Sequence, residues 1–134
     1  PINLRSFGSG SGFLGLPGDF TPVSRFVRAA FLKTYSLEQD TGPATVDQAF
    51  HILNNFDVPL GVQFAVGGAP NNMPSATQWT IATDLKNMTI YYHTMYNRTI
   101  RSLDMKSIDF ATVPFQYHSL DTAKRQTIMP VTID

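Results

Sequence analysis

The chain has 134 residues, with ten lysines and arginines, ten aspartates and glutamates, and an apolar content of 43%. We expect no nucleic-acid or membrane partner, because the charge is balanced and no apolar run approaches the roughly 20 residues that span a bilayer. There is no cysteine, so disulfide bonds and a thiol nucleophile are excluded within this chain.

The first stretch with a clear local prediction is the loop that leads into a helix. Glycine and serine dominate residues 6–12, which predicts a flexible connection. Pro17-Gly18 then joins one fixed φ to one free φ, and so predicts a sharp bend. Thr21 is a good N-cap and Pro22 suits a first helical position, so we expect a helix to begin directly after the bend.

Two amphipathic helices are predicted in the first half of the chain. The first covers about residues 22–37, with a stripe expected to face a core: Val23, Phe26, Val27, Ala30, Phe31 and Thr34. Thr41-Gly42-Pro43 is interpreted as the break that follows it. The second helix is expected to begin at Thr45, because Gln48 completes a capping-box pattern, and to end before Pro59. Its predicted buried face is Val46, Ala49, Phe50, Leu53 and Phe56. The short break predicts that the two helices pack antiparallel.

The second half of the chain alternates polar and apolar residues and predicts a sheet. Three antiparallel strands joined by turns are expected over residues 77–84, 88–95 and 99–103. Residues 108–115 are ambiguous, and residues 126–133 predict a last edge strand that carries Pro130. The aromatic strand residues Trp79, Tyr91 and Tyr92 are interpreted as core. Helices packed on an antiparallel sheet define an α+β fold.

Arg25 is the main candidate for a functional side chain. It follows one turn into the first helix, where a guanidinium at a loop–helix junction is well placed to meet a substrate or a catalytic group. From position alone, the commoner role is an ion pair with a carboxylate such as Asp19. We interpret Asp19 as a structural residue, because a carboxylate before a helix N-terminus is favourable in any protein. Arg28, one turn after Arg25, is also interpreted as structural.

No cofactor or metal is predicted. The three histidines, His51, His93 and His118, lack the spacing of a metal site. The glycines of residues 8–12 lack the Lys-Ser/Thr ending of a phosphate-binding loop and do not lead directly into a helix.

The run Leu16-Pro17-Gly18-Asp19, followed by Ser24-Arg25-Phe26-Val27-Arg28-Ala29-Ala30-Phe31, resembles the choloylglycine hydrolase family. That family contains bile salt hydrolases and penicillin V acylases. The similarity continues through Trp79-Thr80, Asp84, Tyr91-Tyr92 and the run from Tyr96 to Ile100. It implies a four-layer αββα N-terminal-nucleophile hydrolase sandwich, to which this chain would contribute an antiparallel sheet and two antiparallel helices.

The resemblance also implies what the chain lacks. Family members are more than twice as long, and the chain begins with Pro1 rather than Met, so residues 1–134 are expected to be the carboxy-terminal portion of a single N-terminal-nucleophile hydrolase domain. The cysteine nucleophile, with its own α-amino group as base, would lie on the missing amino-terminal half. This chain alone is then expected to be inactive.

Within that family the arginine in this setting lies near the nucleophile, so the resemblance implies a catalytic role for Arg25 in orienting the nucleophile or the developing oxyanion. It further implies a small-molecule amide substrate, no cofactor and a homotetramer. It leaves open whether bile salts, penicillin V or acyl-homoserine lactones are preferred, and whether the compartment is cytoplasmic or periplasmic.

A second hypothesis belongs to a different class, a non-catalytic α+β binding module or an inactive fragment. Such a module should be monomeric and melt cooperatively. A portion of an enzyme should instead expose apolar surface until its other half is present.

Overall fold

The computed structural model describes residues 13–62 and 76–133, and the flexible connection predicted at residues 6–12 lies outside these ranges. The described elements are the helices α1 (Pro22–Tyr35) and α2 (Gly42–Leu53), and the strands β1 (Trp79–Asp84), β2 (Thr89–Thr94) and β3 (Arg101–Asp104). The chain divides between Glu38 and Gln39 into two compact units, with α1 in the first and α2 and the sheet in the second. The predicted packing of the two helices against each other stays a prediction.

The start of α1 confirms the predicted capping. Thr21 has extended backbone, its Oγ1 accepts a hydrogen bond from the Ser24 amide at 3.4 Å, and Pro22 is the first helical residue. A bend is centred on Asp19, directly after the predicted Pro17-Gly18. An earlier turn carries the left-handed φ of +86°, which falls on Gly15 and not on Gly18. The Leu16 amide closes this turn onto the Phe13 carbonyl at 3.0 Å.

The predicted core face of α1 is wrong for the described residues. Val23 and Phe26 are each 73% exposed, whereas Ser24 and Arg28 are buried. The reason is that the segment before the helix hydrogen-bonds to Ser24 and Arg28 and covers their side of the helix instead. Phe31 keeps an apolar partner, since its ring meets that of Phe13 edge to face at 4.9 Å.

Helix α2 begins three residues before the predicted start. Thr41 is the N-cap, with its Oγ1 accepting from the Ala44 amide at 3.3 Å, and Pro43 lies within the first turn. The proline fits there because the first helical N–H groups have no partner within the helix. The predicted capping box at Thr45 is therefore wrong, since the Thr45 hydroxyl donates back to the Thr41 carbonyl at 2.9 Å. On the predicted buried face, Phe50 is only 3% exposed, and the other four residues are half-buried.

The three strands form the predicted antiparallel meander in the order β1-β2-β3. Ile81 pairs with Tyr92, and Tyr91 pairs with Ser102. The turn between β1 and β2 is held by Asp84, whose Oδ1 accepts from the Asn87 amide at 2.9 Å. Helix α2 packs on the sheet at β1, which gives the second unit a helix layer on a sheet layer.

Two predictions for the sheet are wrong. Trp79 is 56% exposed and is not core. Residues 126–133 form no strand, and Ile128 and Val131 in this segment are each 88% exposed. A proline at position 130 removes one ladder donor. No hydrogen bond between two backbone groups joins residues 126–133 to the rest of the described residues, and the Arg98 amide donates instead to the Gln126 side chain. Fully buried apolar side chains in that part of the chain are limited to Phe50 and Val58.

Candidate active site

The segment that precedes α1 is fastened to the helix by the Asp19 carboxylate. Its Oδ1 accepts from the Thr21 amide at 2.8 Å, and its Oδ2 accepts from the Ser24 hydroxyl at 2.7 Å. These hydrogen bonds from Thr21 and Ser24 favour the charged form and lower the pKa of Asp19 to about 2. Asp19 is therefore a structural anchor, as predicted. It does not form the alternative ion pair with Arg25.

Arg28 fastens the same segment from the other side. Its Nη1 donates to the Pro17 carbonyl and to the Asp19 carbonyl, both at 2.7 Å, and the residue is only 8% exposed. A buried guanidinium is favourable only where its donors are used, and these two carbonyls supply acceptors. Arg28 therefore ties residues 17–19 to the body of the helix.

Arg25 lies between these two anchors in the first turns of α1. Its backbone amide donates to the Thr21 carbonyl at 3.0 Å, so the position of its Cα is fixed by the capped helix. The side chain is half-buried, and its Nε is shielded from solvent without a hydrogen-bond partner in the described part of the chain. A buried donor without an acceptor is uncommon and costs free energy. The described residues hold three more buried polar atoms without a partner, namely Asp57 Oδ1, His93 Nδ1 and Arg101 Nε.

A second polar cluster lies in the other unit and joins the end of α2 to β2. His93 is 2% exposed, and its Nε2 lies 2.9 Å from the Asn54 Oδ1. Arg98 reaches the same Asn54 oxygen at 3.0 Å and the Asp57 Oδ2 at 2.5 Å. Burial lowers the pKa of His93, and the positive charge of Arg98 acts in the same direction. These contacts hold a buried histidine in its neutral form between α2 and β2. The cluster contains no nucleophile, so we interpret it as structural.

Sequence reasoning did not find this cluster. Asn54 and His93 are 39 residues apart and carry no local motif. The burial of β2 does not alternate either, since the consecutive residues His93 and Thr94 are both buried, and nothing in the sequence names the partners of His93.

A cleft of about 480 Å³ lies between α2 and the first strands of the sheet. Its lining is mainly apolar and includes Val46, Ala49, Ala82 and Tyr91. The carboxylate on its rim, Asp84, is engaged by Asn87 through both oxygens. The cleft therefore offers apolar surface and no unpartnered reactive group.

Residues 13–62 and 76–133 contain no group of three histidine or carboxylate side chains able to hold a metal ion. None of the helices described in these ranges is both long enough and apolar enough to cross a bilayer.

Comparison with known proteins matches this chain to one family over nearly its whole length. The family model for linear amide C–N hydrolases of the choloylglycine hydrolase family matches residues 2–123. The bile salt hydrolase/transferase of Clostridium perfringens is 38% identical over 103 residues, which is 77% of this chain and 30% of that protein. The chain therefore spans less than a third of the curated relative.

Solved structures agree on the fold. A mutant conjugated bile acid hydrolase from Clostridium perfringens superimposes with a TM-score of 0.70 at 31% identity, over 96% of this chain and 37% of that chain. Penicillin V acylase from Agrobacterium tumefaciens has a TM-score of 0.58 at 23% identity, over 73% of this chain and 30% of that chain. The fold is thus the α+β architecture of N-terminal-nucleophile hydrolases. The chain belongs to the choloylglycine hydrolase family, whose members are linear amide C–N hydrolases.

Proposed function

We propose that this chain is the carboxy-terminal portion of a linear-amide C–N hydrolase whose cysteine nucleophile lies on an amino-terminal half outside the chain. The observation that carries the proposal is that few large apolar side chains are buried and many are exposed. Phe50 and Val58 are the buried apolar side chains of the described ranges, while Phe26, Trp79 and many other large apolar side chains are exposed. Large apolar side chains left exposed in this way are typical of surfaces that another part of the protein covers.

The chemistry proposed for the complete protein is nucleophilic catalysis through a thioester. The cysteine sulfur attacks the amide carbonyl, while the α-amino group of the same cysteine accepts the thiol proton and passes it to the departing amine. Water then hydrolyses the thioester, releasing the carboxylic acid and restoring the thiol. The present chain would contribute no group that forms a bond to the substrate.

Arg25 is proposed as the catalytic residue that this chain supplies. A guanidinium is charged at every physiological pH and presents several donors in a fixed plane, so it can hold the nucleophile or the developing oxyanion in place. The buried Nε without a partner supports this role, because a docked amino-terminal half could supply the missing acceptor.

We propose three kinds of partner for the chain. The first is the amino-terminal half with its cysteine, and the second is further copies of the complete protein in a homotetramer. The third is a small-molecule amide substrate, for which conjugated bile salts and penicillin V are the probes suggested by the proteins that this chain resembles.

The test is complementation between separately produced parts. We expect this chain to show no amidase activity alone, and to give turnover of a glycine-conjugated bile salt or of penicillin V when it is refolded with an amino-terminal half that begins with cysteine. The released amine or acid is measured directly, and intact mass detects the acyl-cysteine. Turnover by this chain alone would contradict the proposal. A cooperatively melting monomer that ignores the amino-terminal half would favour the binding-module alternative.

A further inference from the structure

Two groups of hydrogen bonds join the segment before α1 to the first turns of the helix, which carry Arg25. On one side, the Asp19 carboxylate holds the Thr21 amide at 2.8 Å and the Ser24 hydroxyl at 2.7 Å. On the other side, the Nη1 of Arg28 holds the Pro17 and Asp19 carbonyls at 2.7 Å each. Asp19 takes part in both halves, through its carboxylate and through its own carbonyl.

This arrangement couples the loop to the helix at the level of Arg25. Ser24 and Arg28, which are 7% and 8% exposed, bracket Arg25 along the helix. The segment of residues 17–19 cannot move away from α1 without separating the buried Arg28 guanidinium and the exposed Asp19 carboxylate from their partners. Charge-assisted hydrogen bonds are the strongest of their kind. The loop and the first turns of the helix therefore move as one body.

The Arg25 side chain lacks an anchor of its own in the described residues. Its Nε has no hydrogen-bond partner there, so the direction of the guanidinium depends on the helix backbone that carries it. Catalytic groups lose much of their effect when they are misplaced by about 1 Å, which can cost about 100-fold in rate. We propose that Arg28 positions Arg25 for catalysis by holding residues 17–19 against the helix, an inference that rests on the function proposed above.

The experiment uses the complete hydrolase and compares Arg25→Met, Arg28→Met, Arg28→Lys and the double variant. Arg28→Met keeps the apolar stem and removes both donors, so kcat should fall about 10- to 100-fold with KM little changed. Arg28→Lys should recover most of this loss, since one ammonium can donate to both carbonyls. The double variant should be no slower than Arg25→Met alone, because a positioning residue has nothing left to position.

Rates are referred to active sites counted by the acyl-cysteine formed in the first turnover, so that a loss of folded protein is not read as a loss of kcat. Lys33→Met is the matched control, since Lys33 lies exposed on the same helix and should leave kcat unchanged. If Arg28→Met does not accumulate, Arg28→Gln keeps a shorter donor and should give the same fall in kcat, with faster amide exchange over residues 17–20.

Two outcomes would overturn the inference while leaving the proposed function intact. One is a wild-type kcat per active site in Arg28→Met while Arg25→Met is impaired, which would make Arg28 structural only. The other is independent, multiplicative losses in the double variant. A wild-type kcat in Arg25→Met would instead refute the role proposed for Arg25, and the inference about Arg28 with it.

Discussion

Arg25 is the single residue whose removal most directly tests the proposed chemistry. Replacing it with Met in the complete hydrolase keeps the length of the side chain and removes every donor. We expect kcat to fall by about 10²–10³, the range seen when a donor to a developing oxyanion is lost. Arg25→Lys should recover only part of the activity, because an ammonium retains the charge but not the planar set of donors. Steady-state kinetics of amide hydrolysis is the measurement.

The contacts of Arg25 indicate that its loss should affect catalysis without affecting stability. Arg25 forms no ion pair and no side-chain hydrogen bond within the described ranges, so its removal should cost little stability. The melting temperature of Arg25→Met should therefore stay close to that of the wild type. Unchanged kcat would place Arg25 outside the catalytic site, and a large loss of melting temperature would point to a structural role instead.

His93 predicts a pH dependence of stability. Its pKa is lowered by burial in the folded state, below the value of about 6.5 expected for an unfolded chain. Between those two values the unfolded state binds more protons, so the stability that depends on neutral His93 is fully present above about pH 6.5 and is lost as the pH falls below it. Among the neighbouring charges, Arg98 and Arg101 lower this pKa and Asp57 raises it.

The pH dependence is checked by urea unfolding of the complete hydrolase between about pH 5 and pH 8. His93→Asn should lose part of the slope below about pH 6.5, because asparagine does not titrate. His118→Asn is the control, since His118 is exposed and should leave the slope unchanged. An equal slope in wild type and His93→Asn would show that His93 is not the titrating group.

At the scale of elements, the sequence prediction and the structure differ at the start of α2. The pattern of Thr45 and Gln48 resembles a capping box, yet Thr41 is the cap. Both readings are locally sound, and the choice depends on whether Gly42 and Pro43 are placed in the turn or in the helix. Proline in a first turn is compatible with either, so local propensity could not decide.

The two threonines give a direct test of this assignment. Thr41→Ala removes the cap and should destabilise the helix start by about 1 kcal/mol, which is about a fivefold increase in local opening. Thr45→Ala should cost nothing measurable, because alanine is the better helix former at an interior position. Hydrogen exchange of the amides over residues 44–47 is the readout. The reverse ranking of the two variants would restore the capping box at Thr45.

The strands were predictable because their signal is local. Alternation fixes which residues share a face, and Trp79, Ile81 and Thr83 are exposed while Thr80, Ala82 and Asp84 are half-buried. The outward position of Trp79 was not predictable, since periodicity gives two faces without saying which one is covered. The pairing of His93 with Asn54 was out of reach for the same reason, because it depends on the packing of α2 against the sheet.

At the scale of the whole molecule, the choice of Arg25 as a candidate comes from the family resemblance rather than from local patterns. From the sequence, Asp19 and Arg28 are interpreted as structural residues, and the structure shows the hydrogen bonds by which they join residues 17–19 to α1. The predicted core stripe of α1 is apolar in sequence and exposed in structure. The function proposed above accounts for both facts, because an amino-terminal half would then cover the stripe.

Phe26 tests this directly, because it is 73% exposed and lies on that stripe. In the isolated chain, Phe26→Ser should reduce self-association and dye binding, since it removes exposed apolar surface. In the complete hydrolase the same change should be destabilising by about 3 kcal/mol if the ring is buried there, the range for truncating a core aromatic side chain. Light scattering of the chain and urea unfolding of the complete protein measure the two effects.

The experiment distinguishes the two hypotheses because Phe26→Ser is expected to improve the solubility of the isolated chain and to lower the stability of the complete hydrolase. A surface aromatic of a self-contained module would give better solubility in both forms and no loss of stability in either. A side chain buried by the missing half gives better solubility in one and a large loss in the other. Lys33→Ser on the same helix should have little effect in both forms, because Lys33 is exposed and polar. A Phe26→Ser hydrolase as stable as the wild type would leave the α1 stripe as free surface and remove its support for an amino-terminal half.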